Sequence, residues 1–384
     1  MKRAVLAVLI DAFGYDLLDR HPFMPELEDR RPLATVAGFS SSAIPSLLTG
    51  KWPNEHGRWF LYGKAGETTP FSSARLYAWA ENLPKIGIRA RQRYEREFAR
   101  NSGIDEYYHL YNIPLKYLPS FDLPGKRSIY EPGAIEGVPN LFDKLLEHGI
   151  PYASWNWSTP EEKNFAELHA SIREAKLPFY FFYTAVLDGV MHATGTESAE
   201  TRAVIESNQQ SIREAVRIAE EKYDEVSLYI FSDHGMVNVE NVIDLMGDVR
   251  ALPFVEGKDY LPFYDSTYAR FWFRNESAEK SIRALLESAP GGRLLAREEL
   301  ERLHVWFPDR EYGDAIFLTD AGTVIAPSFM GNEPPCAMHG YHPEDPGSNG
   351  MLIGSRTIPA GVTSIRDMAL FLEQEARRAH GTGP

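Results

Sequence analysis

Three runs of apolar residues constrain the fold of this chain most: Ala4–Ile10, Phe179–Leu187 and Val226–Phe231. Each is continuous rather than alternating. A strand of that kind is buried on both faces, the position of a strand inside a parallel sheet with helices above and below it. Helical patterns lie between the runs. Leu141–His148 is apolar at helical spacing, closes at Gly149 and leads into a short strand at Tyr152–Trp155. Thr196–Tyr223 has helical periodicity and an acidic first turn, and it runs into the third apolar strand. Ser42–Leu48 reads as the opening of a helix ended by Gly50 and Pro53. Met351–Ile353 reads as a last short strand before a closing helix near Ile365–Ala379. The expected class is α/β, with a largely parallel central sheet flanked by helices and a small α+β insertion.

Two stretches interrupt the alternation. Residues from about 59 to 134 are dense in Tyr, Arg and Pro and weakly periodic. Residues from about 245 to 328 suggest a small α+β unit, with a strand at Thr267–Phe273, a helix at Ala278–Ser288 and short strands near Ala315–Leu318. We read both as insertions that cover the site, the first as substrate-side loops and the second as a cap, within one catalytic domain spanning 1–384.

Composition narrows the function. A net charge of −14 argues against a general polynucleotide binder, which normally presents a basic face, so no nucleic-acid polymer is expected as a partner. It leaves room for a small anionic substrate, because bound divalent cations reverse the local field. Cys336 is the single cysteine, which excludes an intramolecular disulfide. Met1-Lys2-Arg3 and the apolar run after it imitate a signal peptide, yet the run is only seven residues long, ends in Asp11 and lacks a small-residue cleavage site. With no apolar stretch long enough to span a bilayer, a cytoplasmic protein without a membrane partner is expected. Oligomeric state is left open.

The chemistry is carried by six residues at or near strand exits: Asp11, Asp188, His192, Asp233, His234 and His339. Asp188 and His192, in LDGVMHATG, are four apart, which on a first helical turn puts both side chains on one face. Asp233 and His234, in FSDHG, follow an apolar strand at the place where α/β sheets hold ligands, and Gly235 permits a sharp turn. His339 lies in MHGYHPED. Each alone would equally suit a strand-end cap or a loop histidine. Together they are the ligand types of zinc or manganese, in a number that suits two ions side by side. Ser40-Ser41-Ser42 precedes a helix start, which favours an anion there; helix capping is the plainer use of such serines.

In order, Asp11, SSSAIPSLLTGKWPNEHG, LDGVMHATG, SDHG and MHGYHP resemble the alkaline phosphatase superfamily, closest to its type I phosphodiesterase/nucleotide pyrophosphatase branch. In those relatives the nucleophile lies ten residues before the glycine of the TG pair. Counting back from Gly50 gives Ser40, with Ser41 as the fallback. The resemblance implies one metal held by Asp11, Ser40, Asp233 and His234, and another by Asp188, His192 and His339, zinc being favoured and manganese the alternative. It gives His342 no ligand role and makes His56 structural.

The chain departs from this pattern at Leu61, the place where such relatives often carry a phosphate-binding asparagine. Arg58 or Lys64 could replace that donor, and Arg89 and Arg91 could meet a phosphate. A sulfatase is disfavoured, because Ser42 and Ile44 occupy the proline and arginine places of the sulfatase motif. The implied activity is hydrolysis of phosphodiesters such as nucleotides or nucleotide sugars, through a serine phosphoryl-enzyme and two metal ions. A phosphomonoesterase, a phosphonate hydrolase and a non-catalytic metal-binding protein are the alternatives.

Overall fold

The computed structural model describes residues 1–81, 83 and 86–382. Asn82, Pro84 and Lys85, inside the first expected insertion, lie outside the described residues. The chain divides into two compact units. The first comprises Met1–His56, Ile129–Asn238 and Pro335–Pro384; the second comprises Gly57–Ser128 and Val239–Pro334. Apart from residues 129–134, both stretches read as insertions fall in the second unit.

The first unit is built on a six-stranded sheet: β1 (Arg3–Ile10), β2 (Asp29–Leu33), β3 (Tyr152–Trp155), β4 (Phe179–Thr184), β5 (Glu225–Phe231) and β6 (Gly350–Gly354), in the order β2-β6-β5-β1-β4-β3. The run β5-β1-β4-β3 is parallel. β6 runs antiparallel to both β5 and β2, so the sheet is mixed. Along β1, Leu6, Val8 and Ile10 point into one apolar layer, and Val5, Ala7 and Leu9 into the other. That division explains why the run is apolar throughout instead of alternating. One layer is closed by Phe165, Leu168 and Ile172 of a helix at Glu161–Glu174 and by Ile205, Ile212 and Ile218 of another at Ala199–Glu220. The other is closed by helix α1 (Ser40–Thr49) and by helices at Leu141–Glu147 and Met368–His380. Phe181 is fully buried in this second layer beside Phe142 and Phe231, and truncating it to alanine would cost about 3–5 kcal/mol.

Two elements differ from the sequence reading. The apolar run from Phe179 ends as a strand at Thr184, and helix α2 (Val186–Thr194) starts two residues later. Apolarity continues through both elements, so periodicity could not mark the switch. In the second unit, residues 86–101 form a 16-residue helix that weak periodicity concealed. Only Gly87, Tyr94 and Phe98 of that helix are buried, a stripe too narrow to announce itself.

The second unit has a four-stranded antiparallel sheet, with strands Tyr260–Tyr264, Tyr268–Phe273, Gly292–Leu294 and Ala315–Thr319 and a helix at Glu276–Ser288. Its core holds a charge. Arg270 is fully buried, donates to Asp265 at 3.0 Å and to the Tyr62 carbonyl at 2.7 Å, and lies over the ring of Phe60 at 4.1 Å.

Candidate active site

β4, β1 and β5 are adjacent and parallel, so their carboxyl ends lie side by side, where open α/β sheets hold ligands. Asp11 follows β1 directly, and Ala12 after it takes a left-handed conformation (φ 62°) that turns the chain away. Asp233 and His234 follow β5 after Ser232. Gly235 is needed here for close approach rather than for a left-handed turn, since a methyl group would meet the carbonyl of Gly347. Asp188 is in the first turn of α2 and His192 one turn on, with Nε2 of His192 3.2 Å from Asp188 Oδ1. His339 follows the short strand Ala337–Met338, which pairs with Val237–Asn238. Ser40 is the first residue of α1, where the helix macrodipole favours negative charge.

These residues fall into two groups: Asp11, Asp233 and His234, and Asp188, His192 and His339. In each, one ligand atom from every residue lies within 4.8 Å of the others. The groups adjoin, with the His234 and His339 rings stacked at 3.9 Å. His234 Nε2 lies 3.0 Å from Ser40 Oγ, 3.2 Å from Asp233 Oδ2 and 3.5 Å from Asp11 Oδ1. Asp188 Oδ1 lies 3.4 Å from His339 Nε2.

The donor set fits divalent cations on two observations. Asp11 Oδ1 and Asp233 Oδ2 are buried and accept no hydrogen bond, and Asp188 Oδ1 faces only the Nε2 atoms of His192 and His339. Buried carboxylate oxygens without partners are costly, and a cation is what would satisfy them. In addition, His192 and His234 turn Nδ1 toward the carbonyls of Ala337 and Gly235, at 2.8 and 3.0 Å. With Nδ1 donating, the lone pair of Nε2 faces carboxylate oxygen in both cases, an arrangement that needs a positive charge between the two.

Proton affinities follow the same crowding. Burial, then the charges of Asp233 and Asp188, hold the Asp11 carboxyl well above the usual range. Burial pushes Asp233 up to about 7. Burial also opposes ionisation of Asp188, but His192, His339 and His234 outweigh it and hold this carboxyl below the usual range. His192 is raised to about 9: burial works against its charge, and Asp188 overcomes burial. Burial and then His234 depress His339. Without a cation, a proton thus bridges Asp188 and His192.

The substrate-binding candidates Arg58, Lys64, Arg89 and Arg91 all belong to the second unit. Arg58 is buried and donates to Glu106 at 2.9 Å. Arg91 is tied to Glu95 at 3.0 Å and to the Ile113 carbonyl at 2.8 Å. Lys64 and Arg89 are exposed, and Leu61 packs against the second unit's core. In the first unit His56 is buried, with Nε2 2.9 Å from Ser46 Oγ. His342 belongs to neither ligand group.

Sequence reasoning missed two supports. Tyr183, the penultimate residue of β4, is buried and donates to Asp11 Oδ2 at 2.5 Å. Thr35 donates to the Asp233 carbonyl at 2.7 Å. Tyr183 carried a faint signal, a hydroxyl near the end of a strand whose neighbour exits at an aspartate. Thr35 carried none.

The fold is an alkaline-phosphatase-like α/β architecture. The sequence profile of the type I phosphodiesterase/nucleotide pyrophosphatase family matches residues 5–341, and the chain belongs to that family, which makes it a phosphoric ester hydrolase. No curated protein sequence matches it significantly. Murine ectonucleotide pyrophosphatase/phosphodiesterase 5 is similar in structure, with a TM-score of 0.65 at 16% identity, over 96% of this chain and 94% of that one. The human counterpart gives 0.66 at 15% identity, with the same coverage. An inactive form of the murine protein, solved in complex with AMP, gives 0.64 at 16% identity, over 98% of this chain and 95% of that one.

Proposed function

We propose that this protein hydrolyses phosphodiesters or pyrophosphates of the nucleotide type, with Ser40 as nucleophile and a divalent cation at each ligand group. The observation that carries the reading is the position of Ser40 Oγ, 3.0 Å from His234 Nε2 at the edge of the group formed by Asp11, Asp233 and His234. Asp11, Asp233 and His234 would hold one cation beside Ser40, and Asp188, His192 and His339 the other. Such ions, zinc by donor type, supply Lewis-acid charge that neutralises phosphate oxygens and lowers the pKa of an adjacent hydroxyl.

The protein's own part is positioning. Ser40 Oγ attacks phosphorus, an O–P bond forms, and the bond to the leaving oxygen breaks in line. The serine proton leaves to solvent. Water then attacks the phosphorus of this seryl phosphodiester, the serine O–P bond breaks, the serine oxygen regains a proton, and the phosphate monoester departs. The α1 N-terminus faces the negative charge that develops at Ser40. The relative's complex with AMP supports a nucleoside monophosphate as the departing group. A diester leaves a monoester product, and that is the species AMP represents.

The test compares bis-nitrophenyl phosphate with mononitrophenyl phosphate on metal-loaded protein, with Ser40→Ala as control. The reading expects faster diester cleavage, a nitrophenylphosphoryl group trapped on Ser40 by mass spectrometry at low pH, and loss of turnover in Ser40→Ala with metal content unchanged. A Ser40→Ala protein with full activity, or a clear monoester preference, would overturn it.

A further inference from the structure

Large apolar side chains left in water are mostly scattered singly over the described residues, as is usual. One group is not scattered. Leu76, Trp79, Leu83, Ile86 and Ile88 fall within a single short stretch of the second unit, exposed at 70, 74, 40, 52 and 68%. Such clustering marks an interaction surface.

The helix that follows, Ile86–Asn101, has two unlike faces. Tyr94 and Phe98 bury its inner side in the unit's core. Arg91 neighbours that side, with its charge spent on Glu81 and Glu95. Arg89, Arg93, Arg96 and Arg100 recur at helical spacing along the outer side, and all four are exposed. None of the four makes an ion pair among the described residues. Residues 75–100 carry seven basic side chains against three acidic ones, a net of +4 in a chain of −14. One short stretch of an otherwise acidic protein thus carries both an outward row of arginines and exposed Trp, Leu and Ile.

We propose that this face docks on an anionic lipid bilayer. The choice of occupant follows from chemistry. A polynucleotide would use the arginines but leave Leu76, Ile86 and Ile88 in water. A second copy meeting this face two-fold would set arginine against arginine. An anionic bilayer accommodates both features: Trp and aliphatic side chains enter the headgroup boundary, and arginines meet the negative headgroups. Expecting no membrane partner rested on the lack of a spanning run, and no described helix is long and apolar enough to cross a membrane. Surface attachment needs no span.

The test is flotation of the whole chain with phosphatidylcholine vesicles, with and without phosphatidylserine. Two double variants accompany the wild type, Leu76→Ala with Trp79→Ala and Arg93→Gln with Arg96→Gln, each checked for unaltered circular dichroism and ester hydrolysis. Binding is expected only with phosphatidylserine, and it should weaken as salt rises. The arginine variant should lose about thirtyfold in partitioning, from roughly fivefold per removed charge. The Leu76/Trp79 variant should lose binding as well. Failure of the wild type to float, or binding unaffected in both variants, would overturn the proposal. So would preferential capture of a single-stranded oligonucleotide, or a concentration-dependent dimer that the Leu76/Trp79 variant abolishes.

Discussion

Replacing Asp233 by asparagine should stabilise the metal-free protein while destroying its activity. Asp233 is fully buried, and burial raises its carboxyl from 3.8 to about 7. The sign follows from linkage. A folded-state pKa above the unfolded one contributes stability that is fully present below about pH 4 and lost as pH rises through about 7. Above that, the folded protein carries a buried anion that the unfolded chain would hydrate. A shift of about 3 units corresponds to a penalty on the order of 4 kcal/mol. At pH 5 most of the folded molecules still hold the proton, and the penalty is only about 1–2 kcal/mol. Asparagine keeps an acceptor for the Ala12 N–H, which Asp233 Oδ1 receives at 3.4 Å, and removes the charge. Stripped of metal at pH 8, the variant should therefore melt about 5 °C above wild type, given roughly 2 cal/mol/K of unfolding entropy per residue. The gain should shrink by more than half at pH 5. Scanning calorimetry on chelator-treated proteins at the two pH values measures both quantities. A variant less stable than wild type at pH 8, or equally stabilised at both pH values, would refute the argument, since equal gains would mean packing rather than charge.

Metal-free wild type should lose stability between pH 6.5 and 9, as His192, raised to about 9 by Asp188, gives up its proton; metal-loaded protein should stay nearly flat across this window. Chemical unfolding at four or five pH values with and without zinc checks this. Tyr183→Phe removes the donor to Asp11 Oδ2 and should weaken metal affinity about 10–100-fold, read by chelator competition, and cost the metal-free protein about 1–3 kcal/mol. Asp265→Ala leaves Arg270 buried without its carboxylate and should cost about 3–5 kcal/mol in urea unfolding, with loss of turnover no greater than the loss of folded protein.

The parts of this molecule that were legible in its sequence share a physical cause. β1, β4 and β5 are buried on both faces, so their sequences are apolar without a break, and a charged residue at the exit of such a run stands out. Asp11, Asp188, Asp233 and their histidine neighbours were visible for that reason. The four-residue spacing of Asp188 and His192 also matched the helix on which they lie. What the sequence did not show depends on side chains meeting across elements. Tyr183 reads as one more aromatic of β4 until its register beside β1 brings its hydroxyl to Asp11. Thr35 reaches Asp233 from a loop more than a hundred residues away. The second unit resisted for a different reason. Its core is aromatic and contains a buried arginine, and its exposed helix is charged on most of its surface, so neither period of two nor period of 3.6 stands out. The division has a chemical sense: ligand residues must sit at strand ends that a rigid apolar sheet fixes, and that sheet and both ligand groups belong to the first unit.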